Sequence, residues 1–146
     1  MTKNELLNAL FVKYGLVFDA SNPDSKDNDV YIHKHYKIIT RGGIQKIEKS
    51  AGIICNINLV DSGKDYANVK GEGSLLTEGG KLVQYSTLAS ANEQTCKNGY
   101  YVEMAEKRCR SRLVLTLAGL YETGLVFGQD EMEDGDQTKK ATYKRG

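Results

Sequence analysis

Apolar residues along the chain follow two rhythms. Over residues 4–14, Leu6, Leu7, Leu10 and Phe11 recur at helical spacing behind Thr2 or Asn4 as candidate caps, which predicts a short amphipathic helix. Residues 19–29 contain the chain's only proline and almost no apolar side chain, so a loop is expected there, and a mobile one. Residues 30–34 read as a short strand, and 36–40 are apolar and β-branched. A second helix is expected over 40–52, with Thr40 as N-cap, Ile44 and Ile47 facing inward and Gly52 as the stop.

The rhythm then changes to a period of two. Ile53, Cys55, Ile57 and Leu59 alternate with Ile54, Asn56, Asn58 and Val60. A turn at 61–65 leads to a long strand over 66–77, interrupted by Gly71 and Gly73, where a bulge or bend is expected. Gly79 and Gly80 turn the chain, and 81–89 return it. A polar loop over 90–99 precedes one long helix over 100–121, and 124–128 close the folded part. The expected fold is α+β, an antiparallel three-stranded (or larger) curved β-meander packed on a long C-terminal helix. Residues 1–128 form one domain in this reading, and 129–146 a flexible charged tail.

Composition narrows the class. The chain has 146 residues, 40% hydrophobic and 27% charged, with no apolar run near the ~20 residues that span a bilayer. The N-terminus lacks a basic segment followed by an apolar one, so neither a secretory signal nor a membrane partner is expected. Three widely spaced cysteines, Cys55, Cys96 and Cys109, fit free thiols in a reducing cytoplasm better than a disulfide framework. Net charge is only +1, and removing residues 129–146 leaves 16 cations against 14 anions. Binding to a polyanion would therefore rest on a local patch.

The densest patch is on the long helix, where Lys107, Arg108, Arg110 and Arg112 fall within six residues. On a helical projection Val102, Cys109, Leu113, Leu117 and Leu120 share the core stripe. Arg110 lies at its border, one turn after Glu106, and an i,i+4 ion pair accounts for it. Arg108 and Arg112 lie one turn apart on another face with no anion one turn away, which leaves contact with a bound anion and an ordinary solvated face both open.

The segment from Met104 through Ala-Glu-Lys-Arg-Cys-Arg-Ser-Arg to Tyr121 is preceded by a meander and followed by Val126-Phe-Gly and acidic residues. In this it resembles the small phage single-strand annealing proteins of the Rad52-like and Erf-like kind. Ile38-Ile-Thr-Arg-Gly-Gly-Ile-Gln-Lys-Ile47 looks like that family's helix upstream of the meander, and the likeness covers roughly 36–134. The resemblance implies a β-β-β-α core, a homo-oligomeric ring or filament, and ATP-independent annealing of complementary strands in the host cytoplasm. It implies a groove in which Arg108, Arg112, Lys107, Arg41, Lys46 and Lys70 meet the phosphates of single-stranded DNA. The chain departs from the family in being short and barely basic, which keeps a second reading open. That reading is a small interaction or inhibitor protein that binds a host or phage protein, the tail being one route to such a partner.

Nine tyrosines and no tryptophan suit either base stacking or half-buried strands and interfaces. Tyr36, Tyr66 and Tyr85, in or beside the meander, are the stacking candidates. His33 and His35 share a strand face without a supporting ligand pattern, so no metal is expected, and no cofactor. The absence of a Walker sequence, of a nucleophile–base pair and of a His-Glu-x-x-His motif predicts a protein that is not an enzyme.

Overall fold

The computed structural model describes residues 2–97 and 99–132. Its elements are α1 (Lys3–Lys13), β1 (Val30–His33), β2 (Tyr36–Ile39), α2 (Arg41–Ala51), β3 (Ile54–Ser62), β4 (Tyr66–Leu76), β5 (Leu82–Asn92), α3 (Tyr101–Leu117) and β6 (Val126–Gly128). Short 3₁₀ turns at Tyr121–Thr123 and Gln129–Glu131 flank β6. The class is α+β, with three helices and two three-stranded sheets among the described residues.

Local chemistry sets the helix ends. The Thr2 hydroxyl accepts from Glu5 N while the Glu5 carboxylate accepts from Thr2 N, a capping box that starts α1. Thr40 caps α2 by accepting from Gly43 N at 3.1 Å, and Gly52 ends it at φ +72°. The third helix is shorter than the sequence suggests. It stops at Leu117 because Gly119 turns left-handed at φ +86°, and Leu120 re-enters the core beyond that break.

The larger sheet has the order β3-β4-β5, all antiparallel, and α3 lies against β4 and β5. Gly71 and Gly73 mark that contact rather than a bulge. A Cβ on Gly71 would sit 2.9 Å from Leu113 Cδ1 and closer still to Cys109 Sγ, and one on Gly73 would sit 2.8 Å from Leu117 Cδ1. The register shift lies elsewhere, between Leu59 and Asp61 on β3. The last strand also runs further than expected, to Asn92, which shortens the loop before α3.

The smaller sheet was not expected from the sequence. β1 and β2 form a hairpin around Lys34, which adopts φ +59°, and β6 pairs with β2 in parallel, Phe127 opposite Ile38. Val30, Ile39 and Val126 face a core shared with Leu7, Phe11, Ile44, Ile47, Val114 and Leu115. A second core holds Ala67, Val69, Ala89, Ala91, Ala105, Cys109 and Leu113. Two faces of α3 therefore serve two cores, which is why its second half is apolar almost all round. Residues 129–132 pack onto this frame, with Asp130 buried, so the packed region continues past Gly128, where the tail was expected to begin. The rest of that tail, 133–146, lies outside the described residues.

Candidate nucleic-acid interface

Of the two arginines expected to lack partners, Arg108 has the most. Only 6% of it is exposed, and its guanidinium donates to Asp130 O (Nε, 3.0 Å), Ser90 O and Thr95 Oγ1 (both Nη1, 3.0 Å) and Thr95 O (Nη2, 2.7 Å). Arg112 donates from Nη1 to Leu88 O at 2.6 Å and keeps 37% of its side chain exposed. The spacing explains the pair. Four residues of helix rise about 6 Å, and two residues of strand advance about 6.8 Å, so successive turns of α3 meet alternate carbonyls of β5. Because β5 is an edge of its sheet, these arginines cover backbone acceptors that would otherwise need water.

Arg110 is held between elements. Its nearest anion is Glu48 on α2 at 2.7 Å, with the expected Glu106 at 3.6 Å. Lys107 is half-buried on the same helix. The expectation of a phosphate-facing row along α3 is thus corrected. Its guanidinia are spent mostly on carbonyls and on Glu48, Arg108 is buried, and Arg110 and Arg112 each keep about a third of the side chain exposed, at 33% and 37%.

Arg41 converges on the same region from α2. Its Nε and Nη2 grip the Asp130 carboxylate at 3.1 and 2.7 Å, and Arg41 N donates to Gln129 Oε1. Asp130 thus uses its side chain on Arg41 and its carbonyl on Arg108, while half of the Arg41 side chain stays exposed. The neighbouring Glu131 is 8% exposed at its side chain, accepts from the Tyr121 hydroxyl, and lies 4.0 Å from Arg112 Nε. Burial pushes its carboxyl up to about 7, with the Arg112 charge opposing. These acidic residues, assigned to a tail by composition, are the ones that gather Arg41, Arg108 and Arg112. Only their place beside Phe127-Gly128 hinted at it.

The remaining candidates do not join this cluster. Lys46 pairs with Asp29 at 2.7 Å, and the same carboxylate oxygen accepts from Val17 N, tying the 19–29 loop to α2. Lys70 is exposed on the sheet face turned away from α3, between Asn58 and Leu88 in register. Tyr66 donates to Asp61 Oδ2 at 3.2 Å, and Tyr85 packs on the second core opposite Gly73. Tyr36 belongs to the smaller sheet and meets Phe127 edge to face at 4.9 Å.

A groove of about 510 Å³ runs beside β5, bounded by Leu88, Ser90, Asn68, Arg108, Arg112 and Glu131. A second cleft, of about 460 Å³, lies between Arg112, Tyr121, Phe127 and Glu131. Arg112 stands in both walls. Among the described residues no group of three or more His, Cys, Asp or Glu could hold a metal ion, and no helix is long and apolar enough to cross a membrane. No protein-family model, no curated protein and no solved structure matches the chain.

Proposed function

We propose that the protein binds single-stranded DNA and anneals complementary strands without ATP, working as a homo-oligomer. What carries the reading is a coincidence of sequence and position. The segment that resembles the annealing proteins, Met104 to Tyr121, contains most of the helix that lies across β4 and β5, so the family-like residues and the β-β-β-α order occur together. The phosphate contacts in this reading are the cations that keep exposed surface: Arg112, Arg41, Lys46 and Lys70. Copies would meet at β3, the opposite edge of the larger sheet, where Ile54, Leu59 and Val60 are 51–64% exposed.

The test is binding of a labelled ~30-nucleotide single strand across a salt series, with annealing of complementary strands followed by fluorescence. Each phosphate neutralised contributes about −0.7 to the slope of log K against log salt. Three or four exposed cations give a slope near −2 to −3, and Arg112→Ala lowers its magnitude by about one phosphate. No shift at low salt, or no acceleration of annealing, refutes the reading. The same open β3 edge would accept a strand from another protein, so the interaction-protein reading stands if a single stoichiometric protein partner is captured while single strands do not bind.

A further inference from the structure

The outward face of the smaller sheet carries a continuous row of rings. His35 and Tyr36 lie 4.2 Å apart at an interplanar angle of 37°. Tyr36 meets Phe127 at 4.9 Å and 71°, and Phe127 meets Tyr121 at 6.4 Å and 69°. Sheet register explains the alignment, since Phe127 is paired with Ile38, two residues from Tyr36 on the same face. Phe127 is 40% exposed although it sits in the centre of a three-residue strand. It separates two clefts, one bounded by Arg112 and Tyr121 and the other by His33, Lys34 and Tyr36.

Phe127 thus presents part of its ring to solvent between the two clefts, beside Tyr36 and Tyr121. The surroundings define the occupant. A cation stands at each end, Arg112 in the first cleft and Lys34 in the second, and the largely buried Glu131 carboxyl lines both. An apolar protein segment would have no use for both. A chain of flat π-systems joined by phosphates uses rings and cations together.

We propose that His35, Tyr36, Phe127 and Tyr121 form a stacking platform for unpaired nucleobases of a single-stranded nucleic acid, with Arg112 and Lys34 meeting the flanking phosphates. This rests on the reading of the protein as a single-strand binder and moves the base-contacting surface from the β-meander to the smaller sheet. It uses two rings, Phe127 and Tyr121, that the pattern of the meander does not indicate.

The chain contains no tryptophan, so Phe127→Trp supplies a single reporter. Its emission should be quenched by an oligothymidylate and not by an abasic chain of equal length and equal phosphate count. Binding of the oligothymidylate to the otherwise natural protein should weaken about 5- to 150-fold in Phe127→Ala, the range of one stacked base. Phe127→Leu keeps an apolar side chain under Tyr36 but removes the π face, so it should weaken binding as well, while its thermal unfolding stays near that of the natural protein. Equal affinity for the abasic chain, or unchanged affinity in Phe127→Leu, overturns the platform and leaves single-strand binding standing. Failure of every oligonucleotide to bind at low salt overturns both.

Discussion

Glu131→Gln should make the protein more stable at pH 8 than it naturally is. Burial raises the Glu131 carboxyl from its ordinary value of 4.5 to about 7, so the folded state prefers it neutral. For such a group the stability contribution is complete below the unfolded pKa and is lost as pH rises through the folded one. Each unit of difference corresponds to about 1.4 kcal/mol, and the gap from 4.5 to about 7 amounts to about 3 kcal/mol, to order of magnitude. Most of it, roughly 2–3 kcal/mol, disappears between pH 5 and pH 8. Glutamine keeps an oxygen for the Tyr121 hydroxyl and cannot ionise, so the variant escapes the loss. Thermal unfolding of both proteins over this range isolates the effect, because every other titrating group is common to them. At about 2–4 °C per kcal/mol for a chain of this size, the variant should gain about 5–10 °C on the natural protein from pH 5 to pH 8. Curves that run parallel across the range would refute the argument, and would mean that Arg112 holds the carboxylate ionised in the fold.

Arg108→Lys should cost about 3–5 kcal/mol in urea unfolding, since an ammonium cannot serve the four acceptors of the buried fork; a loss under 1 kcal/mol would show that the site is wet. Arg112→Ala should cost about 1 kcal/mol or less and is therefore the informative change for strand binding. Gly71→Ala should destabilise by about 1–3 kcal/mol, because its Cβ meets Cys109 and Leu113 together. Gly73→Ala should cost less, as its one close neighbour is the tip of Leu117, and equal melting points for the two would contradict the packing argument.

What could be read from the sequence was local. Thr40 and Gly52 delimit α2 through bonds within four residues, and the alternation from Ile53 to Leu59 needs only the strand's own pleat. What escaped depends on distant partners. β6 is three residues long and acquires its identity from pairing with β2, some ninety positions earlier. Asp130 reads as tail because composition cannot register that Arg41 and Arg108 await it. The glycines of β4 looked like strand breakers because a helix pressed against them is invisible in the strand's own pattern. The expected Glu106–Arg110 pair lost precedence to Glu48 on the same grounds, since a helical projection holds only one helix.

The density of cations on α3 therefore has a meaning different from its first impression. Two guanidinia on successive turns cover carbonyls of an edge strand, and a third ties α3 to α2. That arrangement engages each guanidinium while leaving about a third of the Arg110 and Arg112 side chains exposed. It also links the sheet edge to the C-terminal turn, because Arg108 donates to Ser90 and Asp130 at once. A change that loosens the turn should consequently release Arg41 from Asp130, while Arg108 stays anchored to β5 through Ser90 and Thr95.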